Sequence, residues 1–235
     1  IIGISGTNGK TTTKELIQAV LSKKFKTLAT KGNLNNHIGV PLTLLSIPYD
    51  TEIAIVEMGA NHVGEIGFLC DIAMPDMAIL TNIGTAHIEG FGSRENIIKT
   101  KKELFEFVKN NSNEKSHIFV NADDEALKDE DFSKKTTYSL NTKADISAKA
   151  CCENGYAQIL FNDCLITSKL VGVYNAYNIL AALTIGLHFG VEIERIKEAI
   201  EEYTPSNNRS QILKTNTNTL ILDCYNANPD SMGEA

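Results

Sequence analysis

Short apolar runs rich in β-branched residues alternate with helical patterns through the first half of this chain. The alternation is typical of βαβ units, in which helices connect neighbouring strands of a parallel sheet. The predicted strands are 1–5, 26–29, 52–57, 77–81 and 117–121. The predicted helices, which carry apolar residues at helical spacing, are 11–21, 39–46, 64–73 and 96–108. We therefore expect an α/β fold with three layers and a mostly parallel sheet.

The second half of the chain changes pattern twice. Residues 144–170 alternate around a Glu153-Asn154-Gly155 turn, which predicts a small antiparallel subsheet. Helical patterns follow at 176–189 and 193–202, and TPSNNRS then interrupts the regularity. We place a domain boundary there. Residues 1–205 are predicted to form one domain, and 206–235 the linker and the first strands, QILKT and TLILDCY, of a truncated second domain.

Two further features of the sequence concern its extent and its surface. The sequence begins without Met inside an apolar run and ends where a helical pattern starts, so we expect a fragment of a longer protein. The run ADDEALKDEDFSKK at 122–135 carries charges of both signs, which predicts a solvated helix and loop.

Composition excludes several classes of protein. The 22 Lys and Arg against 29 Asp and Glu give a formal net charge of −7, whereas binding a nucleic-acid backbone needs a basic surface. No apolar run reaches the roughly 18 residues of a membrane span, and the first residues lack the pattern of a signal peptide. Five cysteines without CxxC spacing disfavour a disulfide framework and a zinc site. We expect a cytoplasmic protein with neither nucleic-acid nor membrane partner.

The segment IIGISGTNGKTTTKELI runs from a strand through a Gly-rich turn into an amphipathic helix, the arrangement of a P-loop. In such a loop the backbone amides and the helix N-terminus face a phosphate chain, Lys10 reaches the outer phosphates and Thr11 can bind Mg²⁺. The spacing is a variant, because the first glycine of GxxxxGKT would fall at Ile4 and the chain has Gly3 and Gly6 instead. The predicted nucleotide-binding residues are Gly6, Thr7, Asn8, Gly9, Lys10, Thr11 and Thr12.

Two more polar residues follow predicted strands. Glu57 ends the strand in EIAIVEMG, and His87 follows the strand in AILTNI. Because such folds bind ligands at the carboxyl edge of the sheet, Glu57 is placed to hold Mg²⁺ and His87 to meet a ligand. A strand-end carboxylate or a structural histidine without function is the alternative for each. A P-loop alone fits a GTPase switch, a kinase, an ATPase motor or a ligase.

Seven ordered blocks of the sequence resemble the Mur ligases. They are SGTNGKTTTK, GNLNNHIGVP, EMGANHVGEI, TNIGTAHIEGFGS, KTKKELF, YNAYNILAALTIG and DCYNANPDSM, and they cover essentially the whole chain. The third and seventh blocks are most similar to the members that add D-Ala-D-Ala to UDP-MurNAc-tripeptide, rather than L-Ala, D-Glu or a diamino acid. The resemblance implies a central P-loop ATPase domain followed by the first strands of a Rossmann-like C-terminal domain.

The chemistry that the resemblance implies is ATP-dependent amide-bond formation through an acyl phosphate. The implied catalytic residues are Lys10, Glu57, His87 and Lys101. The implied ligands of two Mg²⁺ ions are Thr11 and Glu57 for one, and His87 and a carbamylated Lys101 for the other. Without the family, Lys101 would be predicted to be a solvated surface cation, and Lys99 and Lys102 stay open as alternatives to it.

The resemblance also implies contacts on the adenosine and γ-phosphate side, made by Asn175, Asn178, Arg209 and Asp223. It places Asn33, Asn35, Asn36 and His62 along the acceptor channel and leaves their roles open. Another Mur-type ligase, a folylpolyglutamate synthase-like ligase and a non-catalytic ATP-binding regulatory partner are the alternatives. We expect a monomer, and we expect the isolated 235 residues to bind nucleotide but to ligate poorly.

Overall fold

The computed structural model describes residues 1–85, 88–205, 211–222 and 232–233. Its centre is a seven-stranded sheet in the order β2-β3-β1-β4-β5-β6-β7, in which every pairing is parallel. The strands are β1 (Ile2–Ser5), β2 (Thr27–Ala29), β3 (Ile53–Glu57), β4 (Met77–Leu80), β5 (His117–Asn121), β6 (Lys135–Ser139) and β7 (Ile146–Ser147). The chain crosses from one side of β1 to the other between β3 and β4, which creates the point where sheets of this kind bind ligands.

Helices cover both faces of the sheet. They are α1 (Lys10–Leu21), α2 (Gly39–Leu45), α3 (Glu65–Ala73), α4 (Ile88–Phe91), α5 (Arg94–Asn110), α6 (Asn175–His188) and α7 (Ile193–Glu202). Helices α1, α6 and α7 pack in one core, and α3 and α5 in the other. Neighbouring residues of a strand enter opposite cores, as Ile79 and Leu80 of β4 do, because side chains alternate along a strand. The predicted three-layer α/β architecture is confirmed.

The predicted antiparallel subsheet is also present. It consists of β8 (Lys149–Glu153), β9 (Tyr156–Phe161) and β10 (Cys164–Ile166) in the order β10-β9-β8. Asn154 and Gly155 turn between β8 and β9 with φ of 52° and 84°, the left-handed conformation that such two-residue hairpins require. The beginning of the predicted segment differs, since Ile146 and Ser147 pair with β6 in the main sheet.

Beyond residue 205 the structure describes β11 (Gln211–Lys214) and β12 (Thr219–Leu222), which pair as an antiparallel hairpin. They fall within the two predicted strands QILKT and TLILDCY, and residues 223–225 of the second lie outside the described residues. The division into domains 1–205 and 206–235 stays a prediction. No helix in the described part of the chain combines the length and apolarity needed to cross a bilayer.

The charged run at 122–135 is less solvated than we expected. It forms turns rather than a helix, Leu127 is fully buried, and Glu130 is only 5% exposed. Burial acts to raise the pKa of the Glu130 carboxyl, but hydrogen bonds from Lys102 and Lys109 outweigh burial and lower it. The expected helix is therefore absent and Glu130 is not solvated, because lysines distant in sequence supply the charge that allows its burial. Much of the rest of the run is a solvated loop as expected, with exposed Glu125, Lys128, Asp129, Asp131, Ser133 and Lys134.

Candidate nucleotide-binding site

The Gly-rich loop lies between β1 and α1, at the carboxyl edge of the central strand. Gly6 and Gly9 have φ of 138° and 77°, which side chains disfavour. A Cβ would lie 2.0 Å from Thr81 Oγ1 at Gly6 and 2.5 Å from Asn178 Oδ1 at Gly9. Both positions therefore require glycine for conformation and for space.

Lys10 is the first residue of α1, and its side chain bends back over the loop. Its Nζ donates hydrogen bonds to the carbonyls of Gly6 at 3.0 Å and Thr7 at 2.9 Å. An ammonium group, the backbone amides and a helix N-terminus are thus gathered at one place, which is the arrangement that binds polyphosphate. The predicted nucleotide-binding residues 6–12 all lie in this loop and the first turn of α1.

The loop after β4 holds the shape of the Gly-rich loop. The Asn82 side chain accepts a hydrogen bond from the Asn8 N–H at 3.0 Å and donates one to the Asn8 carbonyl at 3.1 Å. The Thr7 N–H donates to the Asn82 carbonyl at 2.9 Å, and Thr81 Oγ1 donates to the Asn8 carbonyl at 2.7 Å. Sequence reasoning missed Asn82 and Thr81, although their position directly after a strand of the sheet was a usable signal.

Glu57 and Thr11 bring two oxygen ligands together beside the loop. Glu57 ends β3 and is 1% exposed, and Thr11 Oγ1 donates to its Oε1 at 3.3 Å. Asn35 Nδ2 donates to the same oxygen at 2.8 Å. Hydroxyl and carboxylate oxygens are the ligands that Mg²⁺ prefers, and the ion keeps several waters, so two protein ligands suffice. The residues present therefore fit a magnesium ion, although no three His, Cys, Asp or Glu side chains converge within the described ranges.

Lys14 is a buried residue of this site that the sequence analysis did not select. It is 1% exposed, and its Nζ lies 3.4 Å from Glu57 Oε2 and donates to the Gly32 carbonyl at 2.8 Å. A lysine in an amphipathic helix is ordinarily assigned to the solvent side. The signal that could have found Lys14 is its spacing, since it follows Lys10 by one helical turn and so lies on the same side of α1.

Lys101 of α5 is buried, and this distinguishes it from the neighbouring lysines Lys99 and Lys102. It is 4% exposed, whereas Lys99 is exposed and Lys102 pairs with Glu130 at 2.7 Å. Burial, and next the positive charge of Lys10, lower the pKa of Lys101 to about 7 against the opposing effect of nearby carboxylates. The prediction from local context alone, a solvated surface cation, is wrong for this residue.

Asn178 and Asn175 lie at the start of α6 and connect it to the Gly-rich loop. Asn178 Oδ1 accepts a hydrogen bond from Thr13 Oγ1 at 3.0 Å, and its Nδ2 donates to Asn175 Oδ1 at 2.7 Å. Both side chains are buried. The predicted site residues His87, Arg209 and Asp223 lie outside the described residues.

The four residues predicted along an acceptor channel have different surroundings. Asn35 contacts Glu57, and Asn36 Oδ1 accepts hydrogen bonds from the N–H groups of Ile38 and Gly39, where α2 begins. His62 is exposed and pairs with Glu65 at 3.3 Å, and Asn33 is exposed. Only Asn35 therefore lies in direct contact with the site described above, and the roles of the four stay predictions.

The parallel sheet, the Gly-rich loop after its central strand, the lysine above that loop and the adjacent hydroxyl and carboxylate oxygens define a P-loop nucleotide-binding protein of the α/β class. Residues 4–186 match the family model described as the Mur ligase middle domain. The chain belongs to this family.

Curated relatives and solved structures agree with that membership. The UDP-N-acetylmuramoyl-tripeptide-D-alanyl-D-alanine ligase of Bacillus subtilis is 36% identical over 100% of this chain and 51% of its own length. The ligase of the same name from Escherichia coli is 33% identical over 100% of this chain and 54% of its own length.

Among structures, MurF from Acinetobacter baumannii has a TM-score of 0.87 and 31% identity, covering 99% of this chain and 52% of that one. MurF from Thermotoga maritima in complex with ADP has a TM-score of 0.82 and 31% identity, covering 99% of this chain and 55% of that one. The chain thus spans about half the length of the relatives it matches.

Proposed function

We propose that this chain is the ATP-binding part of a ligase that joins D-Ala-D-Ala to UDP-MurNAc-tripeptide in peptidoglycan synthesis. The observation that carries the proposal is the coincidence of two results. Relatives with this ligase name match the whole chain at 33% and 36% identity. In the fold, Thr11 beside the Gly-rich loop donates to Glu57, and the charge of Lys10 acts on the buried Lys101.

Phosphoryl transfer between two anions depends mainly on positioning and on neutralising charge. We propose that the loop amides and Lys10 bind the outer phosphates of ATP, and that Asn178 and Asn175 bind the adenosine end. The terminal carboxylate of the tripeptide then attacks the γ-phosphorus, and ADP leaves. The amine of D-Ala-D-Ala attacks the resulting acyl phosphate, and phosphate leaves as the amide bond forms.

Mg²⁺ bound by Thr11 and Glu57 would supply further positive charge on the phosphates. Arg209 and Asp223 stay proposed contacts with the γ-phosphate and the ribose, and His87 stays a proposed ligand of a second ion.

We propose that Lys101 is carbamylated and so becomes an anion that, with His87, would hold this second Mg²⁺. Carbamate formation joins the neutral Nζ to the carbon of CO₂ and releases one proton to solvent. A pKa of about 7 leaves a substantial fraction of Lys101 neutral at physiological pH, unlike an ordinary lysine. The support for this step is therefore the burial of Lys101 and its closeness to Lys10.

The decisive experiment is phosphate release by the full-length protein with ATP, Mg²⁺, UDP-MurNAc-tripeptide and D-Ala-D-Ala. We expect phosphate release that requires both UDP-MurNAc-tripeptide and D-Ala-D-Ala. We also expect a product whose mass equals the sum of these two substrates minus one water. Release with L-Ala, D-Glu or a diamino acid and the matching shorter precursor would favour another Mur-type ligase, and release with folate and glutamate a folylpolyglutamate synthase-like one. ATP binding without release for any pair would favour a non-catalytic regulatory partner.

A cytoplasmic location and a monomeric state belong to the same proposal. ATP and nucleotide-linked precursors are cytoplasmic metabolites, which supports the first. Size-exclusion chromatography with light scattering tests the second, and a stable dimer mass would contradict it.

A further inference from the structure

Lys14 and Glu57 form a buried pair of opposite charges inside the site. Each side chain is 1% exposed. Burying one charge alone is strongly unfavourable, whereas a buried pair is tolerated when hydrogen bonds satisfy the remaining donors and acceptors. The mechanism proposed above uses Glu57 and gives no part to Lys14, so the presence of a lysine at this position needs its own explanation.

The two carboxylate oxygens of Glu57 have different partners. Oε1 accepts hydrogen bonds from Asn35 Nδ2 at 2.8 Å and Thr11 Oγ1 at 3.3 Å. Oε2 is buried without a hydrogen-bond partner, and the Lys14 ammonium lies 3.4 Å from it. The charge of Lys14 therefore compensates Oε2, the oxygen without a hydrogen bond, while Oε1 stays beside the Thr11 hydroxyl.

Lys14 also connects α1 to the segment between β2 and α2. Its Nζ donates to the Gly32 carbonyl at 2.8 Å. The same segment surrounds the end of β3, since Thr30 Oγ1 accepts from the Glu57 N–H at 2.9 Å and the Asn35 carbonyl accepts from the Gly59 N–H at 2.7 Å. One lysine thus holds the helix that begins at the loop, the segment that carries Asn35, and the carboxylate between them.

We infer that Lys14 is a positioning residue whose ammonium orients Glu57 and the 30–35 segment, so that Glu57 Oε1 and the Thr11 hydroxyl together bind Mg²⁺. The inference rests on the proposed role of Glu57 as a magnesium ligand. Groups that orient metal ligands without touching the metal typically change metal affinity by about 10- to 100-fold when removed. A lysine with a merely structural role would change stability and leave the Mg²⁺ dependence of nucleotide binding unchanged.

The test is calorimetric binding of ADP to the full-length protein over a series of Mg²⁺ concentrations and in EDTA. The variants are Lys14→Met, Lys14→Arg, Glu57→Gln and the double variant Lys14→Met/Glu57→Gln. Lys23→Met is the matched control. Lys23 lies just after the C-terminal end of α1 and pairs with Glu202 at 2.8 Å, outside the candidate site. Thermal denaturation of each variant is measured in parallel.

We expect Lys14→Met to raise the half-saturating Mg²⁺ concentration by about 10-fold or more while ADP binding in EDTA stays near that of the wild type. Lys14→Arg, which keeps the charge, should raise the half-saturating Mg²⁺ concentration less than Lys14→Met does. Lys23→Met should have the wild-type Mg²⁺ dependence. The double variant should bind Mg²⁺ no worse than Glu57→Gln, because Lys14 is inferred to act through that carboxylate.

The outcomes separate this inference from the proposal beneath it. If Glu57→Gln has the wild-type Mg²⁺ dependence, the magnesium role of Glu57 is wrong. If Glu57→Gln loses that dependence and a folded Lys14→Met keeps it, only the role of Lys14 is overturned. If Lys14→Met does not fold, Lys14→Arg carries the test: a raised half-saturating Mg²⁺ concentration supports the inference, and a wild-type Mg²⁺ dependence overturns it.

Discussion

Lys101 and Glu130 show how this chain buries ionisable side chains for two different purposes. Lys102 and Lys109 donate to Glu130, so the buried carboxylate keeps a lowered pKa and serves the packing of its turn. In Lys101, by contrast, burial and next the like charge of Lys10 lower the pKa to about 7. A buried group whose pKa is shifted far from its usual value beside a ligand loop is a candidate for chemistry rather than for stability.

We predict that Lys10→Ala in the full-length protein abolishes measurable ligation. Its ammonium is placed to meet the charge that develops during phosphoryl transfer, and losing one such group costs about 3 kcal/mol or more, which lowers the rate by at least roughly 100-fold. Phosphate release measures the effect. Lys24→Ala is a suitable control, because Lys24 also donates to two backbone carbonyls, those of Phe189 and Gly190, on the exposed surface. Equal turnover of both variants would contradict the assignment.

We predict that Lys101→Ala cripples ligation and that Lys101→Glu restores part of it by supplying a shorter carboxylate. Lys99→Ala should have little effect, because Lys99 is exposed. Loss of activity in Lys99→Ala with full activity in Lys101→Ala would transfer the role to the neighbouring lysine.

Carbamylation of Lys101 has a pH dependence of its own. Since the pKa is lowered to about 7, the reactive neutral amine predominates above that pH and is protonated below it. We expect ¹³C-labelled CO₂ to give a protein carbamate NMR signal at pH 8 that weakens below pH 7 and is absent from Lys101→Ala. A signal that persists unchanged in Lys101→Ala would place the carbamate elsewhere.

The Gly-rich loop is an element whose shape depends on a second element. Its Thr7 and Asn8 backbone groups bond to Thr81 and Asn82 of the loop after β4. The two loops follow neighbouring strands of the sheet, since β1 pairs with β4. Order in the Gly-rich loop therefore depends on correct pairing of the central strands.

We predict that Gly6→Ala removes nucleotide binding. The added Cβ would lie 2.0 Å from Thr81 Oγ1, at a φ of 138°, so the two loops would have to separate. Gly155→Ala is the matched control, because Gly155 also has positive φ, 84°, and a Cβ there would have no atom within 4 Å. The control should lose only about 1 kcal/mol of stability from the backbone conformation. Calorimetric ADP binding and thermal denaturation distinguish the two variants, and wild-type affinity of Gly6→Ala would refute the account.

At the scale of the whole molecule, the parallel sheet gathers groups from distant parts of the chain at one edge. Glu57 ends β3, the Gly-rich loop follows β1, and Asn82 lies in the loop after β4. Helices α5 and α6 add Lys101 and Asn178. Two separate apolar cores, one on each face of the sheet, hold these elements in place.

We predict that the isolated 235 residues bind ADP but ligate poorly. The matched part of the relatives is about half their length, and excluding water and presenting an amine require closure by further parts of the protein. Calorimetry with ADP and phosphate release with both substrates test the two halves of this prediction. Robust ligation by the 235 residues would show that closure needs nothing more.

The sequence by itself determined the elements whose signals are local. Apolar periodicity placed the strands and the longer helices of the first half to within about two residues and missed the short α4 (Ile88–Phe91), and the Gly-rich motif predicted the loop between β1 and α1. The short strands β6 and β7 were not placed in the main sheet, because a few residues without strong alternation acquire their pairing only from the neighbouring strand.

Only the tertiary structure decided which charged groups are buried. Lys14, Lys101 and Glu130 look in sequence like solvated residues of helices or of a charged run, and each lies in the interior. The burial of Lys14 and Glu130 is possible because partners distant along the chain, such as Glu57 for Lys14, compensate the charge. Lys101 is buried at a lowered pKa of about 7, so its amine can be neutral near physiological pH. Such compensation depends on long-range contacts, which local periodicity does not encode.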